Sequence, residues 1–111
     1  MPWDIIFMDC FAISPCNADN CESPTIVGAK IADDLLDIKG IRATFVLTAY
    51  EGKVYISARS IDELNVQVVM EKMGGGGHIT SAGAQLENCT LEEGAEQIKQ
   101  ILTKMKEEGD I

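Results

Sequence analysis

With 111 residues, the chain is long enough to bury one real core and too short to hold two domains, so a single domain over 1–111 is expected. Apolar residues make up 46% and charged residues 24%, which excludes a disordered chain, and eighteen Asp and Glu against nine Lys and Arg give a net charge of -9 that opposes non-specific binding to long nucleic acid. No apolar run approaches the roughly 20 residues that span a bilayer, and the amino terminus lacks a basic segment followed by an apolar one, so the expected location is cytoplasmic.

Trp3 to Ile13 is mostly apolar and rich in β-formers, which predicts one strand buried on both faces and central in a sheet. Ser14 to Pro24 carries two prolines, two asparagines and small polar residues, which predicts a loop. Ser23 as N-cap and Pro24 at the first helical position open a helix whose Val27, Ile31, Leu35 and Ile38 share one face and which Gly40 closes. Ile41 to Tyr50 and Lys53 to Ser60 are β-branched or alternating segments joined by Glu51-Gly52, the pattern of a hairpin. From Ile61 to Met73 the valines favour a strand and the length a helix. A capping box of Ser60 with Glu63, and Val66, Met70 and Met73 on one face, decide for a helix. Ala82 to Leu86 is a short strand. Thr90 and Glu93 form a second capping box, opening a helix with Leu91, Ala95, Ile98, Leu102 and Met105 as its apolar stripe. The charged tail from Lys106 to Ile111 frays. The predicted fold is α/β, a small mixed β-sheet flanked by helices in the order β-α-β-β-α-β-α.

Cys10, Cys16, Cys21 and Cys89 are even in number, but a chain with a full core needs no staples. Their x5 and x4 gaps are not paired zinc-ligand spacing, and reduced, structurally passive thiols are expected. The chain has one histidine and no cluster of carboxylates, so no metal site is expected within it.

Gly74-Gly75-Gly76-Gly77 is the one run that composition does not explain, because four ordered glycines carry a large backbone entropy cost and offer nothing to pack. A helix C-cap accounts for one of them, and a linker could account for all. The other reading is a backbone that approaches a ligand closely, with successive N–H groups forming an anion-binding nest, and His78 following at once. In Val54 to Ser60 side chains alternate, so Tyr55, Ser57 and Arg59 face one way and Val54, Ile56 and Ala58 the other. That sets a hydroxyl beside a guanidinium, a pair suited to a phosphate. The plain alternative is a solvated face with Arg59 paired to Asp62 or Glu63. Likewise His78 can be a loop histidine bonded to backbone, Thr80-Ser81 can cap the next turn, and Asp33-Asp34 and Glu92-Glu93 read as solvated helix faces.

Ile56-Ser57-Ala58-Arg59-Ser60, then Asn65-Val66-Gln67-Val68, then Gly74 to His78 followed by small residues together resemble the DHH-associated (DHHA) domain of the DHH phosphoesterase superfamily. The resemblance covers most of the chain. Its wording, particularly SARS, NVQVVMEKMGGGGH and ITSAGAQL, is most similar to cyclic-di-AMP phosphodiesterases of the GdpP type. The resemblance implies a two-part enzyme, in which a preceding DHH domain holds manganese and activates water while the DHHA domain binds the substrate. The Asp-His-His motif is absent, so this chain resembles only the second part and is expected to be inactive alone. By the same resemblance Gly74, Gly75, Gly76 and Gly77 present N–H groups to a phosphate and His78 bonds it near the metals as the catalytic residue. Ser57 and Arg59 hold the nucleotide or its other phosphate, and Thr80 belongs to the substrate-binding set. The implied function is the substrate-binding domain of a manganese-dependent phosphodiesterase converting cyclic-di-AMP to linear pApA. The alternatives are the corresponding domain of a RecJ-like exonuclease or nano-RNA phosphoesterase, and a non-catalytic nucleotide-binding module. The expected partners are a cyclic dinucleotide or short oligonucleotide and the parent protein's DHH domain, with a homodimer left open and the parent's anchoring in the membrane a separate expectation.

Overall fold

Alternation along the strands fixes which residues meet which layer. The computed structural model describes residues 5–17, 24–61 and 64–109. Its elements are β1 (Ile6–Met8), β2 (Phe11–Asn17), α1 (Pro24–Leu35), β3 (Ala43–Tyr50), β4 (Lys53–Ser60), α2 (Val66–Glu71), β5 (Gly76–Gly77), β6 (Ser81–Glu87) and α3 (Leu91–Glu107). They form one six-stranded sheet in the order β1-β2-β3-β4-β6-β5, with β2 and β3 parallel and every other pair antiparallel. Crossover from β2 to β3 passes through α1, as a parallel pair requires.

Phe11 and Ile13 of β2, Phe45 and Leu47 of β3, and Val54, Ile56 and Ala58 of β4 bury one face of the sheet against Val69 and Met70 of α2 and Ile98 and Leu102 of α3. The opposite face packs Ala12 and Val46 against Ala32 and Leu35 of α1. Helices therefore cover both faces of a mixed sheet, and the α/β class expected from the sequence holds.

Several element boundaries differ. The run from Trp3 to Ile13 is not one central strand: among its described residues it is a hairpin, β1 lying at the sheet edge and Asp9 taking φ 54° in the turn. Aspartate tolerates that left-handed region, so the turn carries no glycine to announce it. Residues 14–17, expected as loop, continue β2. Pro15 is tolerated because the β1 ladder stops at Ile13, so its missing N–H leaves no β1 partner unpaired. In α1 the deepest positions are Gly28, Ala32 and Leu35 rather than Val27 and Ile31, and Ile38 lies past the helix end, 41% exposed. The helix expected over Ile61 to Met73 is six residues long. Its N-cap is Asn65, whose Oδ1 accepts from Val68 N at 3.3 Å, and Ser60 instead donates its hydroxyl to Leu64 O at 2.6 Å. Ser23, Cys21, Asp62 and Glu63 lie outside the described residues.

Two predictions match closely. Glu51 and Gly52 take φ 50° and 79°, both positive as a two-residue hairpin turn demands, and β3 and β4 pair from Ala43↔Ser60 to Tyr50↔Lys53. The capping box at the start of α3 is complete: Glu93 N donates to Thr90 Oγ1 at 3.0 Å and Thr90 N to Glu93 Oε1 at 2.9 Å. At its other end Lys106 Nζ reaches Asp9 Oδ2 at 2.7 Å, tying α3 to the first hairpin. Cys10 and Cys89 are free thiols. Burial, and then the Glu93 carboxylate, push the Cys89 thiol above its ordinary value.

Candidate functional site

A cleft of about 650 Å³ opens on the α1 side of the sheet, over β4 and β6, with the glycine run as one wall. Ser57 and Gly83 are register partners and give it a floor of small residues, while Ala29 of α1 faces them. Arg59 and Ser81 lie toward one end, Tyr55 and Gln85 toward the other. Strand alternation puts Ser57 and Arg59 on this face and Ile56 and Ala58 in the core, as the sequence predicted.

Arg59 is held before any ligand arrives. Its Nε lies 3.2 Å from Asp33 Oδ1 and its Nη1 donates to Ala58 O at 2.8 Å. Asp33 is therefore not simply a solvated helix residue: α1 brings it to the guanidinium, which keeps further N–H groups for a bidentate acceptor. Ser57 is nine-tenths buried, with its hydroxyl beside Gly28, where a Cβ would approach Ser57 Oγ to 3.1 Å.

Each glycine of the run has its own reason. Gly74 takes φ 86°, the left-handed residue that ends α2. A Cβ on Gly75 would lie 2.1 Å from the Gly83 carbonyl oxygen, and one on Gly77, at φ 142°, would lie 2.6 Å from Ala82 Cα, so β6 leaves neither room for a side chain. Gly76 has no such constraint: a Cβ there meets nothing within 4 Å, and the residue lines the cleft.

The nest expected from four N–H groups is smaller than the sequence suggested. Gly74 N donates to Glu71 O at 3.1 Å and Gly75 N to Met70 O at 2.8 Å, so the end of α2 consumes both. His78 N donates to Ser81 O at 2.7 Å and Ser81 N returns the bond at 3.4 Å. Because antiparallel ladders alternate bonded and non-bonded pairs, Gly76↔Gly83 is then bonded and Gly77↔Ala82 is not, which leaves the Gly77 N–H on the free edge of β5.

The fold thus brings Ser57, Arg59 and Gly74 to Gly77 to one cleft from β4 and the α2–β5 segment. It leaves His78 and Thr80 outside the lining, both exposed at the β5–β6 connection. Thr80 contributes its carbonyl, which accepts from Ser60 N at 3.1 Å, and Ile79 O accepts from both Val66 N at 2.9 Å and Ser60 Oγ at 3.2 Å. Sequence reading did not single out Gln85 or Ala29. Alternation gave the side of Tyr55, but only the β4–β6 register reveals its neighbours. Among the described residues no three of His, Cys, Asp and Glu gather as a metal site would require.

The DHHA1 domain model matches residues 20–108. The chain belongs to the DHHA1 family. Its likeness to named members is consistent with that: this DHHA1 chain is 43% identical over 94 residues to the cyclic-di-AMP phosphodiesterase PdeA of Listeria monocytogenes, covering 84% of the chain and 14% of the relative. It is 45% identical over 82 residues to the cyclic-di-AMP phosphodiesterase GdpP of Geobacillus thermodenitrificans, covering 73% and 12%. The DHHA1 chain thus spans only a small part of these relatives. Among solved structures it superposes on an exopolyphosphatase-related protein from Bacteroides fragilis with a TM-score of 0.79 at 21% identity, over 91% of this chain and 31% of that one, a likeness of fold.

Proposed function

We propose that this chain is the substrate-binding part of a phosphodiesterase that hydrolyses cyclic-di-AMP to linear pApA. The observation that carries the reading is convergence: Ser57, Arg59 and the glycine run, distant in sequence, line one cleft in a domain whose relatives at 43% and 45% identity are cyclic-di-AMP phosphodiesterases. In this reading the Arg59 guanidinium, braced by Asp33, takes two nonbridging oxygens of a phosphate, and Ser57 donates its hydroxyl to the same group. Gly76 lets the ligand come close to the chain. His78, exposed at the β5–β6 connection, would act from the rim.

Charge stabilisation of this kind is a large part of phosphodiester cleavage, which needs positioned donors more than covalent help from the protein. In this reading the metal and the water it activates belong to the parent protein's DHH domain. The chain alone is then a binder and not a hydrolase, cytoplasmic in location.

The test is hydrolysis by the full-length protein, with cyclic-di-AMP and short linear oligonucleotides as competing substrates. Turnover of cyclic-di-AMP to pApA, reduced at least tenfold by Arg59→Ala, is the expected result. Turnover of the oligonucleotides alone would move the chain to a RecJ-like or nano-RNA enzyme. Tight cyclic-di-AMP binding without turnover would make it a non-catalytic nucleotide-binding module.

A further inference from the structure

The phosphate contacts leave one end of the cleft unused. Tyr55 and Gln85 are direct partners in the β4–β6 register and both line it. Opposed residues on one face of an antiparallel pair have Cβ atoms about 4.5–5.5 Å apart, so the ring and the amide are immediate neighbours. They lie two residues along their strands from Ser57 and Gly83 and four from Arg59 and Ser81, on the order of 7 and 13 Å at strand spacing.

The two ends differ in chemistry. Arg59 supplies the charge at one end, whereas Tyr55 and Gln85 are neutral. Tyr55 is half-buried and Gln85 exposed, and neither the phenol nor the amide has a hydrogen-bond partner among the described residues. Between the ends the floor is Ser57 and Gly83 and the facing wall is Ala29, which keep the passage open. An aromatic face beside an unpaired carboxamide is the pair that a planar heterocycle with adjacent donor and acceptor groups would engage. Bases stack on such rings irrespective of sequence, and a glutamine amide matches the N6 donor and N7 acceptor of adenine. Guanine presents two acceptors, O6 and N7, on the same edge, so the amide oxygen would face a lone pair.

We propose that Tyr55 and Gln85 form the nucleobase subsite of this cleft, Tyr55 stacking on an adenine and Gln85 selecting it over guanine. This rests on the dinucleotide reading of the same cleft. Base and phosphate contacts then lie two to four residues apart along the strands, on the order of 7–13 Å.

Full-length protein is assayed for kcat/KM on cyclic-di-AMP and cyclic-di-GMP. Gln85→Arg, which offers two donors to guanine O6 and N7 and no acceptor for adenine's N6–H, is expected to lower the adenine-to-guanine ratio at least tenfold. Ser57→Ala is expected to lower both substrates alike, because it touches phosphate only. Tyr55→Ala, which removes the stack, is expected to lose on the order of tenfold on both. If Tyr55→Ala does not fold, the exposed Gln85→Arg carries the test. An unchanged ratio in folded Gln85→Arg overturns the subsite. If the parent protein hydrolyses neither dinucleotide, the functional reading fails by itself, and calorimetric titration with AMP and GMP then decides the subsite: a preference for AMP that Gln85→Arg removes upholds it, and equal affinities overturn it.

Discussion

Gly75 and Gly76 are neighbours with opposite obligations. At Gly75 a methyl group would collide with the Gly83 carbonyl, and a backbone atom cannot swing away as a flexible side chain can. Gly75→Ala is therefore expected to cost about 2 kcal/mol or more, by the logic of overpacking, and to lower Tm by several degrees in a thermal melt. Gly76→Ala meets open space, so it should leave Tm unchanged or raise it slightly, about 0.4–1 kcal/mol from the reduced freedom of the unfolded chain. The same substitution puts a methyl group into the cleft and should weaken dinucleotide binding in calorimetry. A run that looks uniform in sequence thus divides into three glycines that the backbone requires and one that it does not. That division was not legible in the sequence, because it depends on which face of β6 each residue meets. The pairing of Arg59 with Asp33 was hidden for the same reason: the sequence offered Asp62 and Glu63 as nearby partners, and the observed carboxylate comes from a helix 26 positions upstream in the numbering.

At the scale of elements, local chemistry was most legible where it is self-contained. The Thr90 and Glu93 box and the Glu51-Gly52 turn satisfy their own backbone groups, so four residues suffice to announce each. Thr90→Ala removes the acceptor for Glu93 N and is expected to cost about 1 kcal/mol, seen as a lower denaturation midpoint with an unchanged slope. The acidic first turn and basic last turn of α3 complement its dipole and remain in that variant. Elements that depend on a distant partner were misread. β1 and β2 looked like one strand because Asp9 makes its left-handed turn without glycine, and 14–17 looked like a loop because its strand character comes from pairing with β3. Likewise α2 starts at Asn65, and the expected cap Ser60 is recruited by Leu64 and Ile79 carbonyls.

Over the whole molecule, the class of fold was readable from the order of periodic segments, while the sheet order was not. The site depends on that order: β6 lies between β4 and β5, which sets Gly83 against Ser57 on one side and Gly76 on the other. Both walls of the cleft, α1 and the glycine run, therefore hang on one sheet. A net charge of -9 disfavours long polyanions, so an anionic ligand of this cleft has to be held by local groups.

Ile79 O is a single acceptor that receives Val66 N and Ser60 Oγ, while Thr80 O receives Ser60 N, so the end of β4, the start of α2 and the tip before β6 meet at two adjacent carbonyls. Opening any one of these connections exposes the others. The rim should then move with the core instead of breathing alone, and native-state hydrogen exchange should show the Ser60 and Val66 amides opening only with the β3 amides, at the global unfolding free energy. Exchange of Val66 at a much lower free energy would mean a separately mobile rim. Among the described residues a rim fastened in this way offers no lid, and access to the cleft past them would be controlled by rigid-body displacement of whatever packs across it.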